Sequence, residues 1–356
     1  LLEAWLSPFA IRHSEFEFVI FLMPYLFSYR RYRLPLRVAV RTAHGVLAER
    51  EGVFVRLEDE DGTVGFGEAS VLRWFGTESV DDVAAACATL GAQVTADQIE
   101  AVPARLPCLR FALQAAVGAR LRQVARTYFP VAALLPAGRP VLSRISPLVE
   151  AGFRTFKWKV GVGDLEDELA LLDDVCAALP GGAKLRLDAN GAWQRRQAER
   201  WLEHCAERPV EFVEQPVAAD ARGAEDLLRG LADDFPTPLA LDESLAGDRD
   251  VERWLATGWR GVFVVKPSLL GDATSTLARL AAAKANVVFS SALETAVGAR
   301  AALHHAFQWP GEAYALGFGV WPFFADARFD GPALAPFLRT EDVEKINPEA
   351  IWNALS

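Results

Sequence analysis

The sequence predicts a barrel of parallel β-strands wrapped by helices, preceded by a smaller α+β domain. Three observations carry that prediction. From residue 136 onward, short apolar runs alternate with helix-length amphipathic stretches, the pattern of successive βα units. Several of those runs end on a charged residue, and a barrel gathers its C-terminal strand ends on one face. Before residue 136 the strands come first and the helices follow, which marks a separate α+β unit. At 356 residues the chain has room for a barrel of about 250 residues plus a smaller domain.

Residues 1–22 are rich in apolar side chains, but Glu3, Arg12, His13, Glu15 and Glu17 interrupt them. No uninterrupted 18-residue apolar stretch results, so a membrane-spanning helix is not expected. The basic, apolar and small-residue order of a signal peptide is missing as well. This segment is expected to lie upstream of the fold, which is expected to start at Met23. From 23 to 135 we expect the α+β domain. Its strands run over Phe27 to Arg41 and Gly52 to Glu68, with Asp61 and Gly62 turning a hairpin, and its Ala-rich helices run over Val80 to Leu90 and Cys108 to Arg126.

Pro136 to Gly138 reads as the domain boundary. The barrel is expected over 136–320, with strands at Val141–Ile145, Thr155–Val160, Lys184–Asp188, Val210–Glu214, Leu239–Asp242, Gly261–Lys266, Val287–Ser290 and Ala313–Leu316. Helices over Leu165–Leu179, Arg195–Ala206 and Ala273–Lys284 separate them. The interval from Ile145 to Thr155 is too short for a full crossover helix, so the first unit is expected to be irregular. Residues 321–356 are expected to pack back across the cap or barrel.

Composition narrows the function. The chain is 51% apolar and 24% charged, as a globular protein with a large core is. Its net charge of −10 argues against nucleic acid or an anionic membrane as partner. Cys87, Cys108, Cys176 and Cys205 are scattered, with no Cys-x-x-Cys pair, which suits reduced thiols and a cytoplasmic setting. Gly161 and Gly163 lack the rest of a dinucleotide fingerprint, and no Gly-x-Ser-x-Gly elbow is present. His44, His204, His304 and His305 lack ligand spacing and are assigned no chemistry.

The chemistry lies in the charged strand ends. Asp188, Glu214 and Asp242 stand at three of them, 26 and 28 residues apart, with Lys157, Lys159 and Lys266 at two others. A single acid at a strand end is most often a helix cap or a salt-bridge partner. Three at matching ends call for more, because like charges about 4 Å apart repel by roughly 4 kcal/mol at an effective dielectric near 20. A cation relieves that repulsion, and an all-oxygen ligand set selects a hard ion such as Mg²⁺. Side chains two apart on a strand share a face. Lys157 therefore lies beside Lys159, and Arg186 and Asn190 lie beside Asp188. Desolvation, the neighbouring ammonium and a nearby cation are expected to lower the pKa of Lys159 toward that of a base working near neutral pH.

These residues resemble the enolase superfamily, in its branch with a Lys-x-Lys motif and a second lysine on the sixth strand. The resemblance spans roughly Met23 to Ala335. It rests on Phe156 to Gly161, Leu185 to Trp193, Asp242 to Leu245, Val265 to Gly271 and Ser290 to Gly298. It implies a (β/α)₇β TIM-like barrel with an α+β cap. It also implies Asp188, Glu214 and Asp242 as Mg²⁺ ligands, Mn²⁺ as a possible substitute, Lys159 and Lys266 flanking the substrate, and Asn190 orienting the metal shell. Superfamily sites of this kind use a Lys or His base with Mg²⁺ to stabilise an enediolate.

Within that branch the motifs are most similar to those of the o-succinylbenzoate synthase family. The activity implied is Mg²⁺-dependent syn dehydration of 2-succinyl-6-hydroxy-2,4-cyclohexadiene-1-carboxylate, a step of menaquinone and phylloquinone biosynthesis. The Asp-x-Asp motif of dipeptide epimerases is replaced here by Ala315 to Gly319. Ser290 and Ser291 are expected to bind the substrate's succinyl carboxylate or to cap the following helix, and Arg186 to support the charge balance. The loops Arg41 to Gly45 and Ser70 to Gly76 are expected to close the site, with Arg73 or Trp74 reaching the substrate or packing between the domains. An N-succinylamino acid racemase and a non-catalytic binding descendant of the fold remain as alternatives. The expected partner is a small carboxylate substrate.

Overall fold

Alternation of apolar residues along three strands builds the first domain. The computed structural model describes residues 24–42, 45–118 and 124–355. Residues 1–23 and His44 lie outside them, and with them the expected upstream segment, the start at Met23 and part of the Arg41 to Gly45 loop. Strands β1 (Tyr25–Thr42), β2 (Gly45–Glu58) and β3 (Val64–Ala69) form an antiparallel meander, completed by β4 (Gln93–Val94) in the order β3-β2-β1-β4. The expected hairpin turn is held by Asp59, whose Oδ1 accepts from the backbone N–H of Asp61 and Thr63.

Helices α1 (Val80–Leu90), α2 (Ala96–Glu100) and α3 (Pro107–Val117) cover one face of this sheet. Reciprocal Ser79–Asp82 hydrogen bonds cap α1. A Cβ on Gly65 would come within 1.8 Å of the Ala116 carbonyl oxygen, and one on Gly67 within 1.9 Å of that of Ala112. Only glycine lets α3 lie this close on β3.

The barrel strands are β6 (Ala133–Leu135), β7 (Thr155–Lys159), β8 (Lys184–Asp188), β9 (Val210–Glu214), β10 (Leu239–Leu241), β11 (Val262–Val265) and β12 (Asn286–Phe289). They follow the short β5 (Tyr128–Pro130) and lie side by side in chain order, parallel throughout. Helices α4 (Val141–Glu150), α5 (Leu165–Ala178), α6 (Arg195–Cys205), α7 (Ala224–Asp234), α8 (Asp248–Ala256), α9 (Ala273–Ala282) and α10 (Ala296–Gln308) alternate with them. Both faces of such strands are buried, which is why their sequences read as near-continuous apolar runs. Phe212, Ala240, Val262, Val264 and Val288 fill the interior beneath the strand ends.

Two expected strands take other forms. Val141–Ile145 is the first turn and more of α4, and the first barrel strand is Ala133–Leu135 instead. Val141 and Ile145, both sealed from solvent, are four apart and share a helix face, and Pro140 suits the position just ahead of a helix. The turn at Pro136 to Gly138 therefore joins a strand to its helix inside the barrel. At Ala313–Leu316 the eighth strand shrinks to two isolated parallel bridges, Val131↔Leu316 and Ser290↔Gly317, which close the ring between β12 and the lead-in to β6.

The C-terminal residues touch both units. β13 (Phe337–Arg339) pairs with β5, and α11 (Thr340–Glu344) precedes α12 (Pro348–Asn353). The Arg30 guanidinium lies 4.5 Å over the Trp352 ring. Among the described residues no helix is long and apolar enough to cross a membrane.

Candidate active site

Parallel register sets the site. Lys159, Asp188 and Glu214 are direct partners across β7, β8 and β9, so their side chains point the same way, into the barrel mouth. Glu214 pairs with Ala240, and Asp242, two residues on, shares that inward face. Lys266 follows β11 directly and Ser290 follows β12. Asp188, Glu214 and Asp242 are buried, and so is Lys266. The sequence reading thus names residues that the fold does bring together.

The acids are interleaved with ammonium groups. Lys157 Nζ donates to Glu214 Oε1 at 2.6 Å and lies 3.0 Å from Asp188 Oδ2. Lys159 Nζ lies 3.2 Å from the same Asp188 oxygen and also donates to Asn190 Oδ1. At the other end of the row Lys266 is ion-paired with Asp242. Asn190, at φ 45°, accepts nothing from the acids. Its backbone N–H donates to Asp188 Oδ1 and its Nδ2 to Glu243 Oε1 at 3.0 Å.

Burial works against charge on Lys157, but Asp188, Glu214 and Asp242 outweigh it and hold its pKa above the ordinary lysine range. Its three acidic neighbours outnumber its ammonium neighbour. Burial likewise opposes charge on Asp188, yet Lys157 and Lys159 bring its pKa below the usual carboxylate range. For Glu214 the balance goes the other way. Burial, with Asp188 and Asp242, raises its pKa despite Lys157.

Among the described residues no three acidic, cysteine or histidine side chains already stand close enough together to cage an ion. The carboxylates are drawn to the ammonium groups, which a bound cation has to displace from them. The donor set still fits a hard dication: three buried carboxylates at neighbouring strand ends, with Glu214 carrying uncompensated repulsion that such an ion relieves. His304 and His305 do not compete. Both are held neutral, their pKa values lowered to about 4 by burial.

Other side chains fix this arrangement. Gln215, fully buried at φ 39°, accepts the backbone N–H groups of Asp242 and Ser244 on Oε1 at 3.0 and 3.1 Å. It thereby ties the strand end bearing Glu214 to the one bearing Asp242. Glu168 accepts the N–H groups of Gly161, Val162 and Gly163 and so pins the turn that follows Lys159. Sequence reasoning missed both, since neither an amide after Glu214 nor an acid in α5 carries a local signal.

The remaining expected residues spread out. Arg186 pairs with Glu211 at 2.6 Å, in the bulge between β8 and β9, and donates to the Ala315 carbonyl at 2.7 Å. Its charge answers Glu211, one layer below the three acids, and its reach extends to the closing segment. Ser290 Oγ makes one long contact, 3.4 Å to the Gly317 carbonyl. Ser291 Oγ accepts from Leu293 N at 2.9 Å and donates to Glu294 at 3.0 Å, while the N-cap of α10 is Thr295. In the cap loop Arg73 is exposed and Trp74 half-buried, whereas the adjacent Phe75 lies with its ring 4.4 Å under Lys266 Nζ. Phe75 thus brings the cap to the strand-end face of the barrel.

Comparison with known proteins agrees with this fold. Residues 141–335 match the family model described as enolase C-terminal domain-like, and residues 26–119 match that of the MenC N-terminal domain. The chain is 42% identical over 301 residues to an o-succinylbenzoate synthase of Thermosynechococcus vestitus, covering 82% of this chain and 92% of that protein. It is 33% identical over 286 residues to a hydrophobic dipeptide epimerase of Roseobacter litoralis, covering 72% and 78%. The crystal structure of o-succinylbenzoate synthase from Thermosynechococcus elongatus BP-1, complexed with Mg in the active site, superimposes with a TM-score of 0.79. That match has 37% identity and covers 92% of this chain and 99% of the other.

Proposed function

The chain belongs to the enolase C-terminal domain-like family, and from that premise we propose that it is a lyase that dehydrates 2-succinyl-6-hydroxy-2,4-cyclohexadiene-1-carboxylate to o-succinylbenzoate. The observation that carries the reaction class is the position of Lys159 and Lys266 at opposite ends of one row of buried acids. The 42%-identical synthase supports the choice of substrate.

Asp188, Glu214 and Asp242 would hold Mg²⁺, with Mn²⁺ expected to serve in its place. When bound, the ion supplies the Lewis acidity that stabilises the charge developing on the substrate's carboxylate. Lys159 takes the α-proton. Its contacts with Asp188 and Asn190 aim the amine, and Glu243 holds Asn190 in turn. Lys266 stands on the opposite side as a fixed positive charge. The C–O bond to the ring hydroxyl then breaks, and Lys159 returns its proton to that oxygen, which leaves as water while the ring becomes aromatic. One base on one face makes the elimination syn. Ser290, with its loosely held hydroxyl, receives the succinyl carboxylate.

Racemisation of N-succinylamino acids is the second reading, because it also needs a lysine on each face. Purified protein mixed with the cyclohexadiene substrate and Mg²⁺ tests the first directly. Growth of the aromatic product's ultraviolet absorbance supports it, and no product at micromolar enzyme rejects it.

A further inference from the structure

Arg50 lies on β2, in the cap, and is 3% exposed. Its guanidinium makes four contacts, two in each domain. Within the cap it donates to Ser70 Oγ at 2.6 Å and to the Val71 carbonyl at 2.8 Å. Across the interface it donates to the Leu293 carbonyl at 3.0 Å and to the Ala292 carbonyl at 3.3 Å. Both targets are irregular backbone. Residues 70–72 lead into the short helix Arg73–Phe75, and Leu293 adopts φ 59°, a left-handed conformation that a branched side chain rarely takes. Buried carbonyls in such turns have no ladder partner and need donors brought to them.

What the two turns carry gives the contact its meaning. The first leads to Phe75, the ring under Lys266. The second begins at Ser290 and ends at α10. A second cap side chain grips that end. Glu68 on β3, fully buried, accepts from Thr295 N at 3.0 Å, from Gly298 N at 2.8 Å and from the Tyr32 hydroxyl at 2.6 Å.

We infer that Arg50 is a positioning residue that holds the Phe75 turn over Lys266 and the Ser290 turn at a fixed separation, so that substrate binding depends on the joint between the two turns. The inference rests on the function proposed above, in which Lys266 stands across the substrate from Lys159 and Ser290 receives the succinyl carboxylate. Lysine cannot replace Arg50, because a single compact ammonium does not offer a planar fork of donors to four acceptors.

The test compares Arg50→Lys and Ser70→Ala with Arg30→Leu, a control that removes a cap contact made to Trp352 rather than to either turn. In Arg50→Lys, KM for the cyclohexadiene and Kd for o-succinylbenzoate should rise together by about tenfold, or roughly 1.4 kcal/mol, with kcat falling less. Ser70→Ala, which keeps the guanidinium, should move both the same way but less, and it answers the question if Arg50→Lys does not fold. Hydrogen exchange supplies a readout free of turnover. Peptides spanning 70–76 and 290–298 should both exchange faster in the Arg50 variant, and neither should in Arg30→Leu. Unchanged KM and Kd, or faster exchange in only one turn, overturns the inference. A wild-type protein that makes no aromatic product rejects the functional reading instead, and the exchange experiment still decides whether Arg50 joins the turns.

Discussion

Lys157 and Glu214 are joined by a 2.6 Å hydrogen bond between side chains almost sealed from water, and the same ammonium lies 3.0 Å from Asp188. A buried ion pair with one partner deleted leaves an uncompensated charge that costs roughly 3–5 kcal/mol. Lys157→Met should therefore lower Tm markedly in Mg²⁺-free buffer. If these acids also form the metal site, millimolar Mg²⁺ should recover most of the loss, since ligand binding stabilises the folded state by mass action. A melting curve of the variant that ignores Mg²⁺ would count against the metal assignment.

Activity should follow the metal as well. Chelator is expected to abolish turnover, and Mg²⁺ or Mn²⁺ to restore it. Glu214→Gln should fold, lose metal affinity by at least tenfold in a titration, and lose activity accordingly. Full turnover after exhaustive chelation would refute the site.

The two lysines should separate by role. Lys159→Ala removes the only proposed proton carrier and should lower kcat by at least a thousandfold. Lys266→Arg keeps the positive charge but is a poor base, so measurable dehydration should survive. In deuterated water the wild type should exchange the α-proton of N-succinylamino acids slowly or not at all. Rapid exchange from both enantiomers, with little aromatic product, would favour the racemase.

Glu294 gives a pH dependence with a definite sign. Burial first, then Glu68, raises its pKa to about 7 from an ordinary 4.5. The folded state therefore binds a proton that the unfolded chain has already released. This contribution is complete below about pH 4.5 and is lost as pH rises through 7. Glu294→Gln mimics the protonated acid, so its stability relative to wild type should grow by up to roughly 3 kcal/mol between pH 5 and pH 8. Parallel unfolding curves for the two proteins at both pH values would disprove the shift.

Much of the site is legible in the sequence because each acid follows an apolar run long enough to read as a strand, and parallel register does the rest. Asp188, Glu214 and Lys159 end up level for that reason alone. What escapes the sequence is whatever depends on distant partners. Arg50 and Glu68 look like ordinary charged residues in cap strands until Leu293 and Thr295, more than 200 residues away, are brought against them. Phe75 carries no local mark of its place under Lys266. The first barrel strand was hidden for a different reason. Ala133–Leu135 is only three residues long, while the helix at Val141–Glu150 opens with apolar residues that also fit a strand.

The closing segment of the barrel has a consequence for how such enzymes change. Every strand from β7 to β12 is locked by a ladder, so substitution there risks the whole sheet. Ala315 to Gly319 contributes two bridges and lies against Ser290, where a Cβ on Gly317 would come within 2.7 Å of the Ser290 hydroxyl oxygen. A side chain added at Gly317 therefore presses on Ser290 itself, so a change in this stretch should be felt first at the proposed succinyl pocket and only then in the sheet.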